Sequence, residues 1–321
     1  TSKGYPFEEH FVETEDGYIL GLHRIPHGRQ GSSDRPVVLL QHGLLSCSAC
    51  WVENLVNQSL GFILADKGMD VWLGNSRGNT YSKRHKTIKP SDEKFWQFSW
   101  DHMARYDLPA MVDYILKETN VPQIYYAGHS QGTEIIFAGL GRNATLAAKI
   151  KHFFALAPVA TIGSVEGPFK NLAPFAIKYE VSQLFPTSEF IRMVGRDICG
   201  EGSVGGIVCE NFLFFLAGYD SKEMNVVSIK CIFLIVSIYI SVTTPPLYDA
   251  SMMKNSVTLY TGGKDILADP TDVQYLLKQL PNIYQHVDIS YWEHLDFIWA
   301  IDANVQCYDN IVSTIQKFES H

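Results

Sequence analysis

Short apolar runs alternate with longer amphipathic stretches along most of this chain. Strand-like runs cover residues 37–40, 70–73, 123–127, 153–157, 257–260 and 286–291, and helix-like stretches cover 59–67, 101–118 and 305–318. Most of the strand-like runs are continuous, which is typical of strands buried on both faces of a parallel sheet. The repeated order of strand and helix therefore predicts an α/β fold, with a mostly parallel central sheet and helices on both faces.

The start of the chain follows a different pattern. Residues 11–20 hold two strand-like runs on either side of Asp16-Gly17. An Asp-Gly pair between two such runs predicts a β-hairpin.

The strand and helix rhythm also breaks between residues 161 and 244. Pro168, Pro174 and Pro186 interrupt short helical segments there, and Phe and Gly are frequent. We interpret 161–244 as an inserted helical cap. Residues 1–160 and 245–321 then form the core that carries the sheet.

Composition and charge exclude several classes of protein. The chain has 321 residues, of which 46% are hydrophobic and 19% are charged, as expected for a folded globular protein. Its formal net charge of -8 argues against nucleic acid as a partner, because phosphate binding needs a concentrated basic surface. No stretch reaches the roughly 18 to 20 apolar residues that span a bilayer, and the nearest, 231–242, is too short. We therefore predict a soluble chain without a transmembrane segment.

Several features bear on the cellular compartment. The chain begins at Thr1 without a charged-then-apolar leader, so we expect any signal peptide to have been removed. The triplets at Asn57 and Asn143 are acceptors for N-glycosylation in a secreted or lysosomal protein. Cys199 and Cys209 lie in one short stretch, where a disulfide could close a loop.

The pair Cys47 and Cys50 has the C-x-x-C spacing of redox and zinc sites. No second pair and no histidine cluster accompanies it, so we interpret both as loop cysteines without a metal or redox role.

The most informative motif is Gly128-His129-Ser130-Gln131-Gly132. An apolar strand-like run precedes it and a helix-like run follows it. This is the setting of a nucleophile elbow, in which a tight turn exposes a serine hydroxyl at the end of a strand. A hydroxyl needs a neighbouring base before it can attack, so the motif predicts partners for Ser130 further along the chain.

Two candidate partners follow the last two predicted strands. In this topology an acid follows the next-to-last strand and a histidine follows the last, which selects Asp265 and His294. His294 would act as general base and Asp265 would orient it. His286 lies at the wrong end of its strand. The other carboxylates that remain open as the acid are Asp269, Asp272 and Asp296.

Attack on an ester also needs amide donors for the negative charge on the carbonyl oxygen. Two backbone amides are available by position. Gln131 follows the nucleophile, and Leu44 lies in the loop after the strand at residue 37. The alternative for both is a turn that serves packing only.

Six segments of this chain resemble motifs of the acid lipase family, which includes gastric lipase and lysosomal acid lipase, and which has the α/β-hydrolase fold. They are Thr14 to Leu20, Leu40 to Leu45, Gly74 to Thr80, Tyr106 to Ala110, Gly128 to Thr133 and His294 to Trp299. The resemblance covers most of the chain.

The resemblance implies hydrolysis of neutral lipid esters, either triacylglycerols or sterol esters, at a lipid–water interface. It implies no metal and no organic cofactor, and it implies secreted or lysosomal glycoproteins that work in acid. By motif position it assigns the nucleophile to Ser130, the acid to Asp265 and the base to His294, and it assigns the oxyanion amides to Leu44 and Gln131. Cys199 and Cys209 fall where the family has a cap disulfide.

Two departures from the family bear on function. Glu134 brings a carboxyl one turn beyond the nucleophile, where it would disturb packing or shift the pKa of His294. Residues 222–244 replace a longer segment of the family's cap, so the cap is expected to be shortened and substrate choice altered. Two other functions therefore stay open: a lipid-binding homologue without catalysis, and a short-chain carboxylesterase.

Overall fold

Nine strands form one sheet in the computed structural model, which describes residues 2–31, 36–166 and 248–320. In chain order they are β1 (Glu8–Glu13), β2 (Tyr18–Ile25), β3 (Val37–Gln41), β4 (Asp70–Gly74), β5 (Arg84–His85), β6 (Ile124–His129), β7 (Ile150–Leu156), β8 (Val257–Gly262) and β9 (Ile283–Ile289). Their order across the sheet is β1-β2-β4-β3-β6-β7-β8-β9, and the short β5 pairs with β2.

All neighbouring strands from β4 to β9 run parallel, whereas β1, β2 and β5 pair antiparallel. The chain moves from β3 outward to β4 and then returns to place β6 on the other side of β3. Strand order thus reverses between β3 and β6. In open α/β sheets, a crevice that binds ligands forms beyond the carboxyl ends of the strands at such a point.

Eight α-helices are described, and a π-helical turn directly precedes two of them. The helices are α1 (Leu60–Asp66), α2 (Trp100–His102), α3 (Leu108–Thr119), α4 (Gln131–Arg142), α5 (Ala144–Ala147), α6 (Pro270–Gln279), α7 (Asp296–Trp299) and α8 (Asp309–Glu319). The π-helical turns are Met103–Asp107 before α3 and Asn304–Tyr308 before α8. None of the described helices is both long enough and apolar enough to cross a bilayer.

The sheet separates two hydrophobic cores. Val38 and Leu40 of β3 point into one core with α1 and α8, and Val37 and Leu39 point into the other with α3 and α4. Every residue of β3 is buried. Successive side chains of a strand point to opposite faces, so the continuous apolar runs of the sequence are explained by helices on both faces.

The predicted α/β architecture and the hairpin are confirmed. Strands β1 and β2 pair antiparallel around the Asp16-Gly17 turn, with Glu13 opposite Ile19. The predicted strands and helices are present with ends shifted by at most three residues, and the predicted helices 101–118 and 305–318 each include a π-helical turn. Sequence analysis missed the two-residue strand β5 and the π-helical turns. The predicted cap, 161–244, lies almost entirely outside the described residues and stays a prediction.

The described start of the predicted cap and the residues that follow the cap are both tied to the core. Ser164 donates its amide to Asp272 at 2.7 Å, and Glu166 donates its amide to the carbonyl of Ile266 at 2.9 Å. At the other end, Tyr248 donates a hydrogen bond to Asp101, and Arg142 donates to the Tyr248 hydroxyl at 2.9 Å. Both connections therefore begin at fixed points on the core.

A buried arginine joins three distant parts of the chain. The side chain of Arg77 follows β4 and is fully buried, and it contacts Asp16 at 2.6 Å and Asp107 at 2.7 Å. Its guanidinium also lies 4.1 Å from the ring centroid of Tyr18. Burial alone would raise the pKa of Asp16, but the hydrogen bonds and charge of Arg77 outweigh it and hold that pKa below its usual value. Arg77 thus fixes the loop after β4 against the hairpin and the π-helical turn.

We expect Arg77→Met to lower the free energy of unfolding by about 3–5 kcal/mol, because it leaves two carboxylates, one of them buried, without a counter-charge. Urea denaturation measures this change. Lys86→Met, which breaks the exposed pair of Lys86 with Glu13, is the control and should cost at most about 1 kcal/mol. Equal losses in the two variants would contradict the structural role of Arg77.

Candidate active site

Ser130 sits on a strained turn between β6 and α4. Its backbone has φ 53° and ψ -118°, a conformation that residues with a side chain rarely adopt. The amide of Ser130 donates to the carbonyl of Leu156 at 3.0 Å, which holds the turn against β7. The hydroxyl therefore stands at the carboxyl end of the sheet, as the elbow motif predicts.

The second glycine of the motif is required by a close approach. A Cβ atom on Gly132 would lie 2.5 Å from the carbonyl oxygen of Gln41 in β3. Only glycine lets the start of α4 come this near to the neighbouring strand.

Ser130, His294 and Asp265 form one hydrogen-bonded chain. Nε2 of His294 lies 2.8 Å from Oγ of Ser130, and Nδ1 lies 2.8 Å from Oδ2 of Asp265. Since Nδ1 faces a carboxylate, it carries the proton and Nε2 accepts from the serine hydroxyl. This tautomer is the one that a general base for Ser130 needs.

Backbone amides hold the carboxylate of Asp265 in place. Oδ1 of Asp265 accepts hydrogen bonds from the amides of Leu267 at 2.9 Å and Ala268 at 2.8 Å. Asp265 and His294 are both buried, whereas Ser130 is partly exposed. The site therefore combines a partly exposed hydroxyl with an imidazole and a carboxylate that are both buried.

The three rival carboxylates have other partners. Asp269 accepts from the amide of Thr271 at 2.7 Å and caps α6, and Asp296 accepts from the amide of Glu293 at 2.6 Å. Asp272 binds the segment that leads towards the predicted cap. His286 also points elsewhere, with Nε2 2.8 Å from Oγ1 of Thr261.

The loop after β3 runs directly against the nucleophile. A Cβ atom on Gly43 would lie 2.9 Å from Cβ of Ser130. Leu44 follows Gly43 in this loop and is 40% exposed. Gln131 is the first residue of α4, so its amide has no acceptor within that helix. Both positions predicted for the oxyanion amides thus border Ser130, and their role stays a prediction.

His42 links this loop to the loop after β4. Its Nδ1–H donates to the carbonyl of Gly43 at 2.7 Å, and its Nε2 accepts from the amide of Ser76 and from Nδ2 of Asn79, both at 3.1 Å. Burial lowers the pKa of His42 to about 4. The imidazole is therefore neutral in mildly acidic solution and keeps the same hydrogen bonds there.

His129 contacts His294. Its Nε2–H donates to the backbone carbonyl of His294 at 2.9 Å, and the two ring centroids are 5.0 Å apart. Burial, with a further contribution from the neighbouring His294, lowers the pKa of His129 to about 3. This buried imidazole also stays neutral in mild acid.

Glu134 lies on the first turn of α4, and part of its side chain is accessible to solvent. Burial raises the pKa of its carboxyl to about 8. The side chain that looks like an added charge in the sequence is therefore mostly protonated at neutral pH. Its predicted effect on His294 stays a prediction.

No group of His, Cys, Asp and Glu side chains with the makings of a metal site occurs among residues 2–31, 36–166 and 248–320. Cys47 and Cys50 are both buried, and burial raises the pKa of the Cys47 thiol to about 12. Such a thiol is a poor nucleophile and a poor ligand, and the absence of a metal or redox role for the pair stays a prediction.

The predicted sites of modification are only partly within the described residues. Asn57 and Asn143 are both exposed, as glycan acceptors must be. Cys199 and Cys209 lie outside the described residues, and their disulfide stays a prediction.

Sequence reasoning missed the roles of His42 and His129. Both belong to motifs that resemble the family's, but neither has a partner close in the chain. A histidine next to a candidate nucleophile was the only signal available, and 11 histidines in the chain make that signal weak.

Two family models match this chain. The model described as a partial alpha/beta-hydrolase lipase region matches residues 1–55, and the model of the alpha/beta hydrolase fold matches residues 36–188. A solved structure of a hydrolase from Pseudomonas aeruginosa is similar in fold, with a TM-score of 0.55 and 14% identity over 98% of this chain and 99% of that one. This likeness concerns the α/β-hydrolase fold alone.

Closer relatives are found by sequence. Mouse gastric triacylglycerol lipase is 42% identical over 354 positions, which cover 98% of this chain and 89% of the relative. Human lysosomal acid lipase/cholesteryl ester hydrolase is 41% identical over 98% of this chain and 89% of its own length. The chain therefore belongs to the acid lipase family of α/β-hydrolases.

Proposed function

We propose that this protein hydrolyses carboxylic esters of neutral lipids, triacylglycerols or cholesteryl esters, through a covalent acyl-enzyme at Ser130. The observation that carries the proposal is the chain of contacts from Ser130 Oγ to His294 Nε2 and from His294 Nδ1 to Asp265, each 2.8 Å long. The lipase relatives supply the substrate class.

In the first half of the reaction, Oγ of Ser130 attacks the ester carbonyl while Nε2 of His294 takes the hydroxyl proton. The amides of Leu44 and Gln131 donate to the oxygen that becomes negative. His294 then gives its proton to the leaving alcohol, and the acyl group stays on Ser130. Asp265 stabilises the charged imidazole that exists between these two proton transfers.

In the second half, water replaces the alcohol. His294 takes a proton from water, the resulting hydroxide attacks the acyl carbonyl, and the proton returns to Oγ of Ser130 as the fatty acid leaves. The carbonyl oxygen again develops a negative charge beside the same two amides.

The neutral histidines around the triad support activity in acid. His42 and His129 have pKa values lowered to about 4 and about 3, so neither gains a charge in mildly acidic solution. Hydrogen bonds to the loop after β3 and to the His294 carbonyl therefore persist there. Exposed Asn57 and Asn143 and the two named relatives support a secreted or lysosomal glycoprotein.

A shortened cap is the part of the proposal that concerns substrate choice. The alignment with mouse gastric triacylglycerol lipase is 354 positions long, although this chain has 321 residues, so the relative carries additional residues within the matched region. We assign part of this difference to the cap predicted for 161–244, where residues 222–244 depart from the family.

Ser130→Ala should lower turnover of a long-chain ester at least about 10⁴-fold, because no other group takes the place of Oγ. A series of triacylglycerols and cholesteryl esters of increasing chain length measures activity, and an unchanged unfolding midpoint shows that the fold is intact. Labelling of Ser130 by a phosphonate distinguishes the enzyme from a lipid-binding homologue. Retained activity in the variant would overturn the proposal.

Asp265→Asn should lower kcat about 10⁴-fold, since an amide at this position favours the wrong tautomer of His294. Asp269→Asn in the same loop is the matched control. It should leave kcat within about two-fold, because Asn caps a helix as well as Asp does. The opposite ranking would move the acid to Asp269.

Glu134→Gln should make stability less dependent on pH. The folded protein keeps the Glu134 proton up to about pH 8, whereas an unfolded chain loses it near the usual value of 4.5. The folded state then holds the extra proton between these values, so the free energy of unfolding falls as pH rises through this window.

Unfolding midpoints of wild type and Glu134→Gln should therefore agree near pH 4.5 and diverge above it, with the variant more stable near neutral pH. The difference in the free energy of unfolding between the two proteins should change by at most about 1.4 kcal/mol per pH unit. The change is smaller than this limit because part of the Glu134 side chain is in water. Glu15→Gln on an exposed turn reports the effect of losing a surface carboxylate. A pH-independent difference for Glu134→Gln would contradict the raised pKa.

A further inference from the structure

We propose that His129 is a positioning residue, which fixes the backbone of His294 so that the imidazole of His294 stays aligned between Ser130 and Asp265. The inference rests on the proposed ester hydrolysis at Ser130. It assigns a function to a side chain that takes no part in the proton transfers themselves.

A hydrogen bond joins His129 to the backbone of His294. His294 lies in the loop between β9 and α7, and its catalytic nitrogens need contacts in opposite directions, to Ser130 and to Asp265. The backbone carbonyl of the same residue accepts the Nε2–H of His129 at 2.9 Å. His129 is adjacent to Ser130 in the chain, so this hydrogen bond connects the residue that carries the base directly to the turn that carries the nucleophile.

The His129 ring is closely packed. His129 is only 5% exposed, and a Cβ atom on Gly43 would lie 3.1 Å from its Nδ1. The ring is therefore enclosed by the loop after β3 on one side and by the His294 loop on another. A side chain in such a place has one orientation, which a positioning contact requires.

His129 supplies a neutral donor. A lysine or arginine could also bind the His294 carbonyl, but it would place a permanent positive charge near an imidazole that becomes positive during the reaction. The His129 ring is 5.0 Å from that imidazole between centroids. Because burial holds the pKa of His129 at about 3, the contact persists in mild acid without adding a charge.

Three substitutions separate the hydrogen bond from the volume of the ring. His129→Gln retains a donor near the position of Nε2, His129→Asn has an amide that is one carbon too short to reach it, and His129→Leu removes the donor. His152→Leu is the matched control, because His152 is another buried histidine with one hydrogen bond, to Thr258 at 2.9 Å, and it lies outside the site.

The assay uses a short, water-soluble p-nitrophenyl ester, so that access for long lipids does not limit the rate. Rates are divided by the number of sites that a phosphonate labels, which removes any effect of a smaller folded fraction. We expect His129→Leu and His129→Asn to lower kcat per site about 10²-fold with KM within about two-fold, as a displacement near 1 Å would. His129→Gln should recover at least about ten-fold of the loss, and His152→Leu should leave kcat per site unchanged.

The acid side of the pH profile gives an independent readout. Because burial holds the pKa of His129 at about 3, its ring should add no ionisation in mild acid, so the wild type and His129→Gln should show the same number of ionisations in kcat/KM. A fall that requires two protons in the wild type and one in His129→Gln would overturn the neutral role of His129.

The inference is overturned if His129→Leu and His129→Asn keep the wild-type kcat per site, or if His129→Gln is as impaired as His129→Asn. Should His129→Leu not fold, the difference between the Gln and Asn variants decides the question. Ser130→Ala, run beside them, tests the proposed function itself. If it stays active, ester hydrolysis at Ser130 fails; if it is inactive while the His129 variants are normal, only the positioning role fails.

Discussion

The register between β3 and β6 is the constraint on which the rest of the site depends. Gln41 pairs with Gly128, so two parallel neighbours end at the same level and release their loops side by side. Glycines at 43 and 132 then let these loops touch, since a Cβ atom at either position would lie within 2.9 Å of the other loop or strand. A slip of one residue would turn the side chains of β6 to the opposite faces and separate Ser130 from Gly43.

Much of this arrangement could be predicted because each candidate catalytic group follows a strand that the sequence marks clearly. Ser130, Asp265 and His294 all stand at the carboxyl ends of apolar runs, and parallel strands bring such ends together. The π-helical turn at Met103–Asp107 could not be predicted, because its hydrogen-bond pattern has no distinct apolar period. The partners of Arg77 were also missed, since 61 and 30 residues separate it from Asp16 and Asp107.

These missed contacts explain motifs whose residues take no part in the chemistry. Arg77 ties the hairpin turn, the loop after β4 and the π-helical turn together, and each of these lies in a segment that resembles the family's. The same loop supplies the amide of Ser76 and the side chain of Asn79 to His42, which in turn binds the carbonyl of Gly43. The ion pairs are thus connected to the loop after β3 by neutral hydrogen bonds.

The two connections to the predicted cap are not equivalent in their distance from the chemistry. Residue 166 donates its amide to the carbonyl of Ile266, which is next to Asp265 in the chain. Tyr248 instead binds Asp101 in α2 and Arg142 at the end of α4. A displacement of residue 166 would be transmitted to the loop of Asp265 through one hydrogen bond. A displacement of residue 248 would have to be transmitted along the whole of α4. The acid is itself fixed by the amides of Leu267 and Ala268. The same short loop therefore contacts both the carboxylate of Asp265 and the backbone of Glu166, which lies in the described start of the segment predicted as a cap.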